Sequence, residues 1–309
     1  MDYKKIGLLG GRGYVGQEII ELLNNHKYLN ISSVFSSSKA GQSLHINTGK
    51  DLLYQDLSID KIDFSDEDAF ILALPNNKSQ DYIDLIDRHN PQAIIIDLSS
   101  DHRFDDAWQY RVPELSGKVQ SVKISNPGCY ASAMQFMLAP LKDFLIGSVN
   151  LYGISGFSGA GANSNSRNDQ EALKDSVIPY SLVSHIHEKE VKAYSYPKIL
   201  FTPHVANFFR GIMMTGNFFL SESMSSDEIY NLFVEYYESN QLIHIESEIP
   251  SLQDIQNTSY VRIGGFAIDQ EINRLTFCCA LDNLLKGAAT QAIQNLNSAF
   301  GWDDNLGII

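Results

Sequence analysis

Cysteine is scarce in this chain: three in 309 residues, two of them adjacent at Cys278 and Cys279. That excludes a disulfide framework, and with no C-x-x-C pair and no cysteine–histidine cluster it offers no structural zinc site, so no metal is expected. Positive charge is short as well. Lys and Arg total 23 against 37 Asp and Glu, a formal net charge of −14. This argues against broad nucleic-acid binding but leaves room for a local arginine pocket that takes a small anion. No uninterrupted apolar run is long enough to cross a bilayer. The opening Met1-Asp2-Tyr3-Lys4-Lys5 runs straight into a short apolar strand and leaves no room for a signal peptide. A cytoplasmic, reducing location is the expectation, without membrane or nucleic acid among the partners.

The chain is long enough for two domains. Lys5 to Leu9 reads as a strand, Gln17 to Asn24 as an amphipathic helix and Ile31 to Phe35 as a second strand. Further strands are expected at Ala69 to Leu74 and Ala93 to Leu98, with a helical segment around Asp81 to Arg88 between them. Repeated strand–helix alternation implies a mostly parallel sheet covered by helices, a nucleotide-binding architecture. Later the pattern changes. A helix at Ala131 to Leu138, strands at Ser148 to Ser155 and Ile212 to Leu220, and a pair Val261 to Asp269 and Arg274 to Leu281 around Gln270–Asn273 suggest an α+β domain with a mixed sheet. A last helix is expected over Leu284 to Leu296, with Asp282 or Asn283 as its cap.

Several groups of residues carry chemistry. Ser125-Asn126-Pro127-Gly128-Cys129-Tyr130-Ala131 puts a thiol after a glycine turn and before a helix start, a position that favours thiolate and places backbone N–H groups near an attacked carbonyl; buried apolar packing is the competing use of a free cysteine. Gly10, Gly13 and Gly16 open the first helix and Gly11-x-Gly13-x-x-Gly16 supplies the dinucleotide register, though glycines serve close helix–sheet packing too. After the second strand, Ser36-Ser37-Ser38-Lys39 lacks the acidic residue that would hold an adenine ribose. Its hydroxyls and lysine suit the 2′-phosphate of NADP, unless they form a plain soluble turn.

His185-Ile186-His187-Glu188-Lys189-Glu190 offers two imidazoles, on one side if the piece is extended, and a carboxylate able to orient one of them. Gly153 to Gly161 is a small-residue loop that admits a ligand close to backbone. Arg103, at the carboxyl end of an expected parallel strand, and Arg210 are candidates for a carboxylate or a phosphate; a structural salt bridge is the alternative for each.

In their order these pieces resemble the N-acetyl-gamma-glutamyl-phosphate reductase family of arginine biosynthesis. The carriers are Gly10 to Gly16, Leu72-Ala73-Leu74-Pro75-Asn76, Asp97-Leu98-Ser99-Ser100-Asp101-His102-Arg103-Phe104, Asn126 to Tyr130, Ser155 to Gly161, the 185–190 segment, Phe201-Thr202-Pro203-His204, Arg210-Gly211 and Asn283 to Ala289. The resemblance implies a Rossmann-like NADP-binding domain over 1–128, an α+β catalytic and oligomerisation domain of the aspartate-semialdehyde dehydrogenase type over 129–282, and a C-terminal helix and tail, 283–309, returning to the first. It also implies a homotetramer or homodimer. It assigns Cys129 as nucleophile and His185 with Glu190 as the acid/base pair, His187 being the competitor. Gly10, Arg12, Gly13, Tyr14, Val15, Ser36, Ser38, Lys39, Pro75, Ser158, Gly159 and Asn283 would hold NADP, and Arg103, Asn126 and Arg210 the substrate. The family's His-Arg-His-x-Pro-Glu reads His-Ile-His-Glu-Lys-Glu here, keeping both histidines and the glutamate. The implied reaction is NADPH-dependent reduction of an acyl phosphate through a cysteine thioester, with release of inorganic phosphate. The alternatives are aspartate-semialdehyde dehydrogenase, a reductase of an N-succinylated or carrier-linked acyl phosphate, and a catalytically silent nucleotide-binding assembly protein.

Overall fold

Strands whose residues are apolar on both sides must be covered on both sides, and the first half of the chain is built that way. The computed structural model describes residues 3–46, 51–59 and 62–309; Met1 and Asp2, with which the reading of the N-terminus began, lie outside them. The chain divides into two compact units, Met1–Pro127 with Ala288–Ile309, and Gly128–Gly287.

The first unit contains β1 (Lys4–Leu9), α1 (Tyr14–Asn24), β2 (Leu29–Phe35), β3 (Ser43–His45), β4 (Asp51–Gln55), β5 (Ala69–Leu72), α2 (Gln80–His89), β6 (Ile94–Asp97), β7 (Gln109–Tyr110) and β8 (Lys123–Ser125). They form one sheet in the order β3-β4-β2-β1-β5-β6-β8-β7. Pairings β1–β2, β1–β5, β5–β6 and β6–β8 are all parallel. Alternate residues feed opposite faces. Ile71 and Ile96 join Ile19 and Leu23 of α1, together with Ile293 and Leu296 near the C-terminus, in one core. Phe70, Leu72 and Ile95 join Ile83 and Ile86 of α2 in the other. Strand order reverses at β1, so a crevice for a ligand is expected beyond its carboxyl end.

The second unit holds α3 (Cys129–Leu138), β9 (Leu145–Gly156), α4 (Gln170–Leu173), β10 (Val177–Pro179), α5 (Ile186–Tyr194), β11 (Ile199–Ala206), β12 (Ile212–Leu220), α6 (Ser226–Tyr237), β13 (Ile243–Glu246), β14 (Val261–Asp269) and β15 (Arg274–Leu281). Its mixed sheet runs β10-β11-β9-β12-β15-β14-β13. β12 alternates strictly between buried and half-buried residues, the signature of a sheet covered on one face. Register brings Thr202, Tyr152, Thr215 and Cys278 into one row on the other face, where Tyr152 and Leu200 are exposed.

Three expectations change. The 185–190 segment is not extended: His185 caps α5, and Ile186 onward is helical because that turn buries Glu188, Glu190 and Val191. α3 begins at Cys129 itself, two residues earlier than the apolar pattern suggested. The last helix is broken in two, a π-helical turn at Leu285–Ala289 followed by α7 (Thr290–Ala299). Among the described residues no helix is long and apolar enough to cross a membrane.

The first unit also buries a titratable group far from any chemistry. His26 is 6% exposed; its Nδ1 accepts from the Tyr28 and Leu29 amides at 3.2 and 2.9 Å, and its ring stacks on Trp302. Burial pushes the imidazole below its ordinary pKa of 6.5, against hydrogen bonds involving Leu306 and Asn297 that act the other way. The unfolded chain therefore binds more protons than the native one below about pH 6.5, and stability falls with pH until the native His26 also protonates. Denaturant midpoints should decline across that window in the native protein and lose this component of slope in His26→Asn. Parallel pH profiles for the two proteins would contradict it.

Candidate functional site

In the first unit the glycine turn, the serine–lysine turn and the Pro75 loop follow three adjacent parallel strands, β1, β2 and β5. The Gly10 and Gly11 amides both donate to the Phe35 carbonyl, at 3.0 and 3.1 Å, which fixes the first two turns side by side. Gly10 has φ +87°, and a methyl group there would strike the Ala73 carbonyl at 2.2 Å. A methyl on Gly16 would strike the Gly10 carbonyl at 2.5 Å. Gly13 is different: a Cβ would meet nothing in the protein closer than 3.5 Å. Gly13 is also the N-cap of α1, so glycine at this point suits a ligand's phosphate approaching the helix N-terminus rather than the protein's own packing. Arg12, Tyr14 and Val15 flank it. Ser36 is buried and its Oγ accepts the Lys39 amide, whereas Ser38 is exposed and the Lys39 ammonium lies 5.3 Å over the Tyr54 ring.

The thiol sits in the second unit. Cys129 is the first residue of the ten-residue α3, with Gly128 as N-cap, so the positive end of the helix dipole favours its thiolate. Glu190, fully buried on α5, accepts the Gly128 amide through Oε2 at 3.0 Å, and Ser132 Oγ donates to the Gly128 carbonyl at 3.1 Å. The turn that presents the thiol is thereby clamped from two sides. The other Glu190 oxygen stands 4.0 Å from His187 Nε2. The other two thiols differ: Cys279 is buried, and burial pushes its thiol far up, while half-buried Cys278 lies in mid-strand on β15.

His185 is 9% exposed and its Nδ1 accepts the His187 amide at 3.1 Å. An accepting Nδ1 leaves the proton of a neutral imidazole on Nε2, the form that donates. The ring is walled by His187, Phe201, Tyr180 and Tyr130, with centroids 4.8, 5.4, 5.6 and 6.3 Å away. The two histidines thus come together, by a helix cap rather than by a strand. Tyr180 was not singled out from sequence. Burial, then the Cys129 charge, pushes its phenol up to about 12, so it stays protonated beside the thiol. Burial, then the neighbouring Tyr180 and Cys129, raises Tyr130, whose hydroxyl donates to the His204 carbonyl at 2.8 Å.

The remaining candidates separate. Ser158, Gly159 and Asn283 cluster in the second unit: Asn283 Nδ2 donates to Ser158 Oγ at 3.0 Å, its Oδ1 accepts the Gly211 amide at 2.6 Å, and a methyl on Gly159 would come 3.6 Å from Nδ2. Arg210 Nε and Nη2 face the two oxygens of fully buried Asp282, at 2.6 and 3.1 Å, and Nη1 donates to Asn257. Arg103 and Asn126 lie together in the first unit. Arg103 Nε and Nη2 donate to the carbonyls of Asn126 and Leu98. Asn126 is 1% exposed; its amide donates to the Ala288 carbonyl and its oxygen accepts from Asn295, which is in turn held by Arg111.

Asp282 also accepts the Leu284 and Leu285 amides, at 2.9 and 3.2 Å, capping the π-helical turn. That turn delivers Gly287 against Cys129, where an added methyl would lie 2.7 Å from its Cβ. Gly287→Ala should therefore displace the thiol and lower kcat about 10²-fold, the scale of a misplacement of about 1 Å. Wild-type turnover by that variant would show that the contact does not set the nucleophile's position.

Residues 5–121 match the family model of the semialdehyde dehydrogenase NAD binding domain, and residues 129–283 that of the semialdehyde dehydrogenase dimerisation domain. The chain is 42% identical over 304 residues to N-acetyl-gamma-glutamyl-phosphate reductase of Xanthomonas campestris pv. campestris (strain 8004), covering 97% of this chain and 96% of that protein. It is 41% identical to Protein arg11, mitochondrial, of Schizosaccharomyces pombe, over 98% of this chain but only 35% of that longer protein's length. Aspartate semialdehyde dehydrogenase II of Vibrio cholerae shares the fold, with a TM-score of 0.81 at 18% identity over 97% of this chain and 99% of that one.

Proposed function

Since the chain belongs to the N-acetyl-gamma-glutamyl-phosphate reductase family, we propose that it reduces N-acetyl-gamma-glutamyl phosphate to N-acetylglutamate 5-semialdehyde, with NADPH as reductant. The observation that carries this reading is Cys129 at the first position of α3, with its turn clamped by Glu190 and the donor His185 in the same unit. The Cys129 thiolate attacks the acyl carbon, and a C–S bond forms as the carbonyl becomes a tetrahedral oxyanion. Collapse breaks the C–O bond to phosphate and leaves a thioester; sulfur suits both roles because it attacks and departs readily. NADPH, when bound, supplies the hydride that reduces that thioester. His185 Nε2–H donates its proton to the alkoxide that hydride addition creates, and takes it back from the hydroxyl as the thiohemiacetal collapses. Breaking the C–S bond releases the aldehyde and returns the thiolate to the helix N-terminus. Glu190 acts through the Gly128 amide, holding the turn, and His187 holds His185 by its backbone N–H.

The residues after β1, β2 and β5 fit a dinucleotide: Gly13 leaves space for pyrophosphate at the N-terminus of α1, and Ser36, Ser38 and Lys39 are the donors for a 2′-phosphate. Ser158, Gly159 and Asn283 present backbone and amide groups to the nicotinamide end. The half-buried face of the second sheet, with Tyr152 and Leu200 exposed, is the surface for pairing of copies into a dimer or tetramer. Three free thiols fit a reducing compartment, and we assign the protein to the cytoplasm.

The test is a substrate panel in the oxidative direction, with NADP and inorganic phosphate. Turnover of N-acetylglutamate 5-semialdehyde well above that of aspartate semialdehyde and of the N-succinylated analogue is expected. Activity confined to aspartate semialdehyde would overturn the assignment.

A further inference from the structure

An acyl phosphate derived from an N-acylated glutamate carries two anionic groups, the phosphate on the reacting carbon and a carboxylate three carbons away. The two arginines read from sequence as holders of such groups are committed inside the protein. Arg210 faces Asp282, which neutralises it. Arg103 donates to two backbone carbonyls in the first unit.

A third arginine is placed differently. Arg167 lies in the segment between β9 and α4, and its side chain is exposed. Its guanidinium lies 5.1 Å over the Tyr180 ring. No carboxylate among the described residues pairs with it. The Tyr180 ring in turn stands 5.6 Å from that of His185. Tyr180 senses the charge of both Cys129 and Arg167. It remains a neutral phenol, so the positive charge of Arg167 is not cancelled by its partner.

We infer that Arg167, anchored on Tyr180, is the specificity-determining residue that binds the α-carboxylate of the substrate's acyl tail. This rests on the function proposed above. The choice of carboxylate over phosphate follows from reach. The phosphate is bonded to the carbon that Cys129 attacks and must sit at the thiol, whereas the carboxylate lies a few ångströms further along the tail. Arg167 is linked to the thiol's surroundings through the intervening Tyr180, one side chain removed. A planar fork with two parallel donors matches a carboxylate. The Tyr180 ring holds the fork in place, reducing the side-chain entropy lost on binding.

The experiment is steady-state kinetics in the oxidative direction, varying semialdehyde, phosphate and NADP separately for the native enzyme, Arg167→Ala and Arg167→Lys. The expected result is an increase of about 30- to 100-fold in KM for N-acetylglutamate 5-semialdehyde in Arg167→Ala, the scale of one lost charge-assisted contact. KM for phosphate and for NADP should be unchanged, and Arg167→Lys should recover part of the loss. A second probe needs no variant to fold: 4-acetamidobutanal, which lacks the carboxylate, should be a correspondingly poorer substrate of the native enzyme and insensitive to Arg167→Ala. A rise in KM for phosphate instead, or a fall in kcat with KM unchanged, would overturn the assignment. Equal use of 4-acetamidobutanal and the full semialdehyde by native enzyme would overturn it too. A native enzyme that turned over no N-acylated glutamate semialdehyde would remove both this inference and the function it rests on, so the two failures are told apart by the native protein alone.

Discussion

Cys129→Ala is expected to abolish acyl-phosphate reduction, by about 10⁴-fold or more in kcat, while NADPH still binds. The size follows from the role proposed for the residue: without the sulfur no thioester forms, and a reaction divided into two easier steps reverts to one hard one. Retained cofactor binding follows from the architecture. The dinucleotide elements after β1, β2 and β5 belong to a unit that has its own two-sided core, and the side-chain loss falls in the other unit. NADPH fluorescence titration and a rate measurement on the same preparation test both halves. Residual turnover near the native rate would reject the covalent route. Replacing Cys279 should affect only stability, because burial holds it as an inert thiol.

The second large effect is expected at His185, where capping and proton transfer can be separated. His185 is the N-cap of α5 through its Nδ1. Asparagine is among the best N-caps and its side-chain oxygen can take the same His187 amide. His185→Asn should therefore keep the helix and the melting temperature while lowering kcat about 10²- to 10⁴-fold, the range for loss of a positioned proton donor. His185→Ala should show the same kinetic loss plus about 1 kcal/mol of stability from the missing cap. If His185→Asn turned over at the native rate and a His187 variant did not, the donor would be His187.

Much of the fold is legible in the chain because the first unit uses local signals. Apolar runs at Ile6–Leu9, Ala69–Leu72 and Ile94–Ile96 are buried on both faces, and the glycine turn after β1 requires positive φ at Gly10. The hairpin of β14 and β15 closes around Asn273, at φ 50°, and its ends are those the alternation marks. α6 was not read from the sequence, although its signal is local: Ser225 and Glu228 form a reciprocal capping box ahead of Ile229, Phe233 and Tyr237 at helical spacing. α5 is less legible, since its buried face is made of Glu188, Glu190 and Val191, two of which carry charge.

In the site, the placing of Cys129 at a helix start was legible because the Asn126-Pro127-Gly128 turn that precedes it is local in the chain. The arginines were not. The carbonyl acceptors of Arg103 and the Asp282 that holds Arg210, 72 residues on, depend on tertiary approach. Tyr180, Arg167 and the close contact of Gly287 with Cys129 have the same character. Spacing along the chain carries no trace of them.

The central claim is a covalent acyl group on one particular sulfur, and intact-protein mass spectrometry after mixing with N-acetyl-gamma-glutamyl phosphate in the absence of NADPH measures it. The covalent route predicts one N-acetylglutamyl group per chain, located at Cys129 by peptide mapping, lost on addition of NADPH and absent in Cys129→Ala. Phosphate release and full reduction without any adduct on Cys129, or an adduct on Cys278 that turns over in its place, would contradict it.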